Sequence, residues 1–330
     1  MANRIGARVM GLLPKKCLSS ENPDHREART SMISFKQLTY ALAVEKTLHF
    51  KKAAELSNIS QSALSTALNA LEKQLGLQIF ERDNKKVLVT PVGKQVLEKA
   101  RSIVLQVDDL QHLADSQRSV LSFPLTVGVI PTICPYLLPR LLPLLNEQYP
   151  QCQLNIVEDQ SHVLVDMVKR GEIDTAILAL PFPIEGLLSM DFWQEDFYWV
   201  ALQGEQYTQQ KEITSQELNH CHLMLLKDGH CLKDHILEAC KLPEQAANQG
   251  FGATSLNTLI QMVLGKLGTT LVPEMAMAPL ISQHPGLAAV HLAEPGPHRR
   301  IAFILRPNYT CTSSIEALME ICQEALSSYN

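Results

Sequence analysis

The stretch FKKAAELSNISQSALSTALNALEKQLG, residues 50–76, decides the fold of the front of this chain. It predicts a short helix containing Ala53 and Ala54, a break at Ser57–Asn58, and a longer helix from about Ser60 to Leu75. The two small residues let the helices cross closely. Apolar residues at helical spacing predict a buried stripe on the second helix, formed by Ile59, Leu64, Leu68, Leu71 and Leu75.

The outer face of the second helix carries short polar side chains. They are Gln61, Ser62, Ser65, Thr66 and Asn69. In a major groove, Gln and Asn can read adenine edges, and Ser can approach a base or a phosphate. The face therefore predicts base readout in double-stranded DNA, although an ordinary helical hairpin with a polar face has the same pattern.

The segment IFERDNKKVLVTPVG, residues 79–93, comes next. It predicts two short strands, Gln78–Glu81 and Lys86–Thr90, around a polar turn. Arg82, Lys85 and Lys86 lie in or beside this turn, where cations can contact phosphates and position the protein without specifying a sequence. This arrangement is typical of a DNA-binding wing.

A long helix is predicted from Pro91 to about Gln117. Its apolar residues recur at alternating spacings of about three and four residues, as in a coiled-coil seam. They are Val96, Ala100, Ile103, Val107, Leu110 and Ala114. The seam predicts a dimer contact, and the alternative is that the stripe packs on its own domain.

This front part resembles the LysR-type transcriptional regulators. The segments AA, SQ, LS, FER and VTPVG fall at that family's places, whereas Ser62 stands where Pro is common and Thr66 where many members carry Arg. The resemblance implies an α/β protein with a winged helix-turn-helix at residues 32–90, a dimerising linker helix at 91–121, and a two-lobed effector domain, like a periplasmic binding protein, at 122–330.

Charge and composition agree with a DNA-binding front on a larger body. Residues 33–101 contain 11 Lys and Arg against 6 Asp and Glu, and residues 102–330 contain 12 against 25, although the whole chain has a net charge of −5. The eight cysteines form no small-domain framework, and no apolar run is long enough to span a bilayer. We expect a cytoplasmic, nucleoid-associated protein whose residues 1–31 are a disordered extension, with Met32 as an alternative start of translation.

Strand and helix patterns alternate after residue 122. LTVGVIPT, QLNIVEDQ and DTAILAL read as strands separated by amphipathic helices, which predicts a parallel sheet. FYWVAL, HLMLL and GTTLVP are expected to form a second lobe, and AAVHL with RRIAFILRP to return toward the first. Ligands of such folds bind between the lobes, at the carboxyl ends of strands.

The stretch KDGHCLKDHILEACKL, residues 227–242, is where we place a switch. A helix between Cys231 and Cys240 would hold their Cα atoms about 13 Å apart, whereas a disulfide tolerates at most about 7 Å. The neighbouring His230 and Lys233 would favour a Cys231 thiolate, which could react to sulfenic acid and then be captured by Cys240. The alternative is that both cysteines are small buried apolar residues.

DGHCLKDHILEAC, GATSLNTLIQMV and VGVIPTICPYLLPRLLP also resemble the peroxide-sensing members of the LysR-type family. The resemblance implies that Cys231 is peroxidatic, that Cys240 is resolving, and that the peroxide pocket contains Thr132, Ser161, His230 and Arg306. Local alternatives stay open: Ser161 as a helix N-cap, Thr132 as a turn residue, and Arg306 as a solvated strand end.

The resulting prediction is a transcription factor, not an enzyme, that binds promoter DNA as a dimer-built tetramer. It senses hydrogen peroxide, activates antioxidant genes with RNA polymerase, and needs no cofactor, metal or membrane. Three rivals remain: a regulator that binds a metabolite between its lobes, a thiol peroxidase, and a metal site. The metal site would draw on the histidines and cysteines of one lobe, namely His220, Cys221, His222, His230, Cys231, His235 and Cys240.

Overall fold

The computed structural model describes residues 32–83, 86–116, 120–242 and 252–327. The predicted extension at residues 1–31 and the predicted phosphate contact Lys85 lie outside the described residues, as does the side chain of Arg82. The chain divides at Ala100 into two compact units. Among the described residues, no helix is both long enough and apolar enough to cross a membrane.

The first unit begins with three helices, α1 (Phe35–Thr47), α2 (Phe50–Leu56) and α3 (Gln61–Leu75). Ser60 caps α3, because its side chain accepts a hydrogen bond from the backbone N–H of Ala63 at 3.2 Å. Leu64, Leu68 and Leu71 are fully buried, so most of the predicted stripe is confirmed, whereas Ile59 and Leu75 are only half-buried. The helix-turn-helix is therefore present with nearly the predicted bounds.

Two short strands and a long helix complete this part. β1 (Phe80–Asp83) pairs antiparallel with β2 (Lys86–Val89). The first strand of the wing begins two residues later than predicted, at Phe80 instead of Gln78. α4 (Pro91–Ser116) then runs for 26 residues.

The second unit begins within α4, at Arg101, and holds the remaining elements. Its first half contains β3 (Pro124–Val129), α5 (Cys134–Gln148), β4 (Gln153–Glu158), α6 (Ser161–Arg170), β5 (Thr175–Leu180) and β6 (Leu188–Glu195). Its second half contains β7 (Phe197–Leu202), β8 (Glu212–Ile213), α7 (Ser215–Leu218), β9 (Leu225–Leu226), α8 (Cys231–Ala239), β10 (Gly252–Ala253), α9 (Leu256–Leu264), β11 (Thr270–Pro273), α10 (Glu274–Ile281), β12 (Leu287–Leu292), β13 (Arg299–Leu305) and α11 (Thr312–Ser327).

These strands form two main sheets, one in each lobe. The first lobe has the order β4-β3-β5-β13-β6, and the second has β11-β7-β12-β8. The chain crosses between the lobes after β6 and returns before β13, so these two connections form the hinge. A two-lobed α/β effector unit is thus confirmed.

The sheets differ from the prediction in two respects. In the sheet of the first lobe, only β3, β4 and β5 run parallel, because β13 pairs antiparallel with both β5 and β6. In the second lobe, β12 pairs parallel with β8 but antiparallel with β7. The β6 sequence, LSMDFWQE, alternates poorly between apolar and polar residues and is not predicted as a strand. AAVHL, in β12, stays in the second lobe, and only β13 returns to the first.

Candidate functional site

The helix α8 begins at Cys231, directly after a tight turn. Gly229 has φ +94°, in the left-handed region that favours glycine, and a Cβ at this position would collide with the side chain of Gln160. His230 is the N-cap residue, but its side chain makes no capping hydrogen bond. The glycine therefore lets the chain close on Gln160 and places the Cys231 sulfur at the start of the helix.

Cys231 lines a narrow cleft. Three segments meet there: the turn after β3, the start of α6 and the start of α8. The cleft contains four predicted pocket residues, all at most 8% exposed, namely Thr132, Ser161, His230 and Cys231. The structure thus brings together residues that lie up to 99 positions apart in the sequence.

The fifth predicted pocket residue, Arg306, is not in this cleft, and that prediction is corrected. Its Nη1 donates hydrogen bonds to the carbonyls of Val168 at 3.1 Å and Ile173 at 3.0 Å, and its guanidinium lies over the ring of Tyr309. Arg306 follows the end of β13, about 23 Å along the strand from Arg299 at its start. It holds the end of α6 in place.

Arg299 is the arginine that reaches the cleft. Its Nη1 donates to the Thr132 hydroxyl at 3.2 Å, and its Nη2 donates to the Thr132 carbonyl at 3.3 Å. Its Nε lies 2.6 Å from Oε1 of Glu195, and both side chains of this ion pair have no exposed surface. The second Glu195 oxygen accepts the backbone N–H of Met275 in the first turn of α10. The sequence signal for Arg299 was the pair of arginines, Arg299 and Arg300, before the buried run IAFIL.

The environment of Cys231 favours the thiol over the thiolate. Burial raises the pKa of Cys231, while the Ser161 hydroxyl and the Arg299 charge partly oppose this rise. The hydroxyl of Ser161 is buried beside the Cys231 thiol, and it has no other hydrogen-bond partner among the described residues. Ser161 is the first residue of α6, and Gln160 is the N-cap, so the N-cap alternative is wrong.

The prediction that His230 and Lys233 favour a Cys231 thiolate through their positive charge is also corrected. Burial lowers the pKa of His230, which keeps the imidazole neutral near pH 7. The Lys233 ammonium is paired with the Asp228 carboxylate. Arg299 is therefore the cation that favours the thiolate.

Cys240 is the C-cap residue of α8 and is 2% exposed. Burial and the nearby Glu294 carboxylate raise its pKa to about 12. The helix predicted between the two cysteines is confirmed, so its rise alone separates their Cα atoms by about 13 Å. Both thiols are free in this state.

The predicted DNA-reading face is accessible. Gln61, Ser62, Thr66 and Asn69 are exposed on α3 and Ser65 is half-buried, while Lys86 is exposed at the start of β2.

In α4, the seam residues Ile103 and Leu110 are 45% and 66% exposed. Ala100 is 2% exposed, and Val96 and Val107 are half-buried, so the seam is exposed only in part and the dimer contact stays a prediction.

The metal interpretation finds no support in the described residues, where no group of three or more His, Cys, Asp or Glu side chains could hold an ion. His222 instead bonds the carbonyl of Leu267 through Nδ1 at 2.7 Å, and the Cys221 thiol donates to the carbonyl of Glu217.

Comparison with known proteins gives two family matches that together span most of the chain. Residues 35–94 match the bacterial regulatory helix-turn-helix protein, lysR family, and residues 119–327 match the LysR substrate binding domain.

Several relatives cover nearly the whole chain. EstR, an HTH-type transcriptional regulator of Acinetobacter baylyi, is 36% identical over 87% of this chain and 95% of its own length. A probable hydrogen peroxide-inducible genes activator of Streptomyces viridosporus is 35% identical over 89% of this chain and 94% of its own. A solved cysteine-to-serine mutant of Corynebacterium glutamicum OxyR, with H2O2 bound, is 34% identical, with a TM-score of 0.63 and coverage of 91% and 94%. The chain therefore belongs to the LysR family of bacterial transcriptional regulators.

Proposed function

We propose that this regulator senses hydrogen peroxide through Cys231 and reports it by forming a disulfide with Cys240. The observation that carries the proposal is the geometry of α8, which holds two buried thiols at its opposite ends. One of these thiols lines a cleft with polar side chains, and the other has no access to it. Relatives named as peroxide-inducible activators, and an OxyR structure with H2O2 bound, support the same chemistry.

The chemistry proceeds in two balanced steps. The Cys231 thiolate attacks one oxygen of the peroxide, the O–O bond breaks, and Cys231 becomes a sulfenic acid while hydroxide leaves and is protonated to water. The Cys240 thiolate then attacks the sulfenic sulfur, and a second hydroxide leaves as the S–S bond forms. Two thiols are oxidised and one peroxide is reduced to two waters.

Each cleft residue would have a different role in the reaction of Cys231 with peroxide. Arg299 holds the Thr132 hydroxyl by donating to its oxygen, so the hydroxyl proton of Thr132 remains free to donate to a peroxide oxygen. Ser161 offers a second hydroxyl, and the Arg299 charge stabilises both the thiolate and the leaving hydroxide. His230 is neutral, so it contributes a hydrogen-bonding group rather than a charge.

The output step is a change in DNA binding. Residues 32–90 are proposed to read promoter DNA, with Gln61, Ser62, Ser65, Thr66 and Asn69 at base edges and Arg82, Lys85 and Lys86 at phosphates. Residues 91–121 pair two chains, and residues 122–330 sense the oxidant and complete a tetramer. Rearrangement around α8 would shift the half-sites within reach, so that RNA polymerase is recruited to antioxidant genes in the cytoplasm.

The proposal is tested by treating reduced protein with one equivalent of H2O2 and mapping its disulfides by mass spectrometry, with a promoter footprint before and after. A Cys231–Cys240 linkage and a changed footprint are expected. Cys240→Ser should stop at the sulfenic acid, and Cys322→Ser, which removes a buried cysteine of α11, should behave like the natural protein. A footprint that changes while both thiols stay free would contradict the trigger.

A second candidate is a regulator that answers a small metabolite bound between the lobes. The 36% identity to EstR, whose name mentions no peroxide, favours it. Cys231→Ser separates the two candidates, because a metabolite sensor keeps its response in this variant and a peroxide sensor loses it.

A further inference from the structure

The cleft of Cys231 is closed in this structure. Its walls leave no room for a molecule the size of water, and hydrogen peroxide is larger than water. The cysteine itself is 4% exposed. Some part of the cleft must therefore move before an oxidant reaches the sulfur, and the residues at the mouth of the cleft decide which part this is.

Three of the eight residues that line the cleft reach the surface. Pro131 and Gln160 are half-buried and Gly229 is exposed, whereas the other five are at most 8% exposed. The ring of Pro131 is rigid, and Gly229 has no side chain. Among the described residues that line the cleft, Gln160 therefore supplies the one flexible side chain at the mouth.

The side-chain amide of Gln160 lies directly over Gly229. A Cβ on Gly229 would stand 2.5 Å from Oε1, 2.9 Å from Cδ and 3.0 Å from Nε2 of Gln160. Only a residue without a Cβ permits this approach, so the amide rests on the glycine backbone. Gln160 precedes α6 and Gly229 precedes α8, so their contact joins the two segments on either side of the mouth.

Packing alone holds the Gln160 amide in place, while the backbone on both sides is fixed. The side chain caps no N–H of α6 and makes no other hydrogen bond with the described residues, whereas its backbone N–H donates to the Asp159 carboxylate at 2.7 Å. On the other side, the Lys233 ammonium and the Asp228 carboxylate form an ion pair across the turn at Gly229. Rotating the amide away breaks no hydrogen bond, so it costs less than moving either backbone segment.

We propose that the Gln160 side chain is the gate of the Cys231 cleft, closing it while the amide rests on Gly229 and opening it by rotating outward. The gate limits both the rate at which a reagent reaches the thiol and the size of that reagent. H2O2 carries no alkyl group and needs the smallest opening, so the gate favours it over alkyl hydroperoxides. This selectivity rests on the proposed function, whereas the gating does not.

The gate is tested without peroxide, by alkylating reduced full-length protein with N-ethylmaleimide and quantifying the modified Cys231 peptide by mass spectrometry. Gln160→Ala removes the amide. Because the open form of a closed gate is populated to at most about a tenth, this variant should react at least about tenfold faster. Its thermal unfolding midpoint should not change, since the lost side chain makes no capping hydrogen bond.

Gln160→Met is the conservative variant, because an unbranched side chain of similar length can cover Gly229 without an amide. It should restore slow alkylation. A bulkier reagent, N-cyclohexylmaleimide, separates access from acidity. A lower pKa of the thiol would speed both maleimides by the same factor, whereas a wider mouth speeds the bulkier one more. Equal rates for the natural protein and Gln160→Ala, fast alkylation of Gln160→Met, or one common factor for both maleimides would overturn the gate.

Selectivity is tested separately, by measuring how fast H2O2 and tert-butyl hydroperoxide remove the free Cys231 thiol. The ratio of the H2O2 rate constant to the tert-butyl hydroperoxide rate constant should fall at least about fivefold in Gln160→Ala, because the variant no longer excludes the alkyl group. An unchanged ratio in a variant that alkylates faster would overturn the selectivity and leave the gate. If H2O2 oxidises Cys231 in neither protein, the proposed function fails, and the alkylation result stands by itself.

Discussion

The strongest prediction concerns the fate of α8 when the disulfide forms. The helix rise holds the Cα atoms of Cys231 and Cys240 about 13 Å apart, and a disulfide needs them within about 7 Å. The separation must shrink by at least about 6 Å, which corresponds to about four residues of helix. The hydrogen bond from the Cys240 N–H to the Ile236 carbonyl, 3.0 Å long, cannot survive this change. We expect the segment to become a loop.

Hydrogen exchange with mass spectrometry measures this directly. The backbone amides of residues 232–242 should exchange at least about tenfold faster after one equivalent of H2O2. In a loop, no free energy is needed to open helical hydrogen bonds before an amide exchanges. Peptides of α11 serve as an internal control, because that helix lies far along the chain and contains no reacting thiol. Cys240→Ser should retain slow exchange after oxidation. Slow exchange in protein with a proven Cys231–Cys240 disulfide would refute the geometric argument.

Thiol reactivity, the buried ion pair and DNA recognition each give a further prediction. Because burial holds the pKa of Cys231 above its ordinary value of 9.0, its alkylation rate by iodoacetamide should rise about tenfold per pH unit from pH 7 to 9; a plateau below pH 8 would contradict this. Glu195→Gln should lower the free energy of unfolding in urea by about 3 kcal/mol, because Arg299 stays buried without its partner, and adding Arg299→Met should recover most of the loss. Asn69→Ala should reduce the preference for the cognate promoter by about 1–3 kcal/mol, whereas Lys86→Ala should weaken all DNA equally and lower the salt slope by about one; equal effects of both variants on specificity would contradict the assignment.

The local sequence pattern was sufficient to predict two of the helices, α3 and α8. The helix from Gln61 to Leu75 repeats its apolar residues at helical spacing, and Asp228 and Gly229 mark the turn before α8. The strand β6 was missed because it carries charged and polar residues on a half-exposed strand next to β13. Its identity depends on that neighbour rather than on its own sequence.

The site was predictable where the residues lie on recognisable turns, and not where it depends on long-range pairing. Cys231, His230 and Thr132 stand in short distinctive segments, and the cleft contains all three. The arginine was misassigned because β13 starts with two arginines, Arg299 and Arg300, and a third, Arg306, follows its end. Only the pairing of β13 with its neighbours shows that Arg299, rather than Arg306, faces Thr132.

The carboxylate of Glu195 meets three parts of the molecule at once: it comes from the end of β6, it neutralises Arg299, and it accepts an N–H from the first turn of α10. A fully desolvated junction of this kind resists deformation, because breaking any of these bonds would leave an unpaired polar group away from water. The wall that holds Thr132 is therefore rigid, and in the proposed mechanism α8 would be the part that rearranges. If the proposed oxidation of Cys231 takes place, strain created at its sulfur would be relieved in the helix and not in this wall.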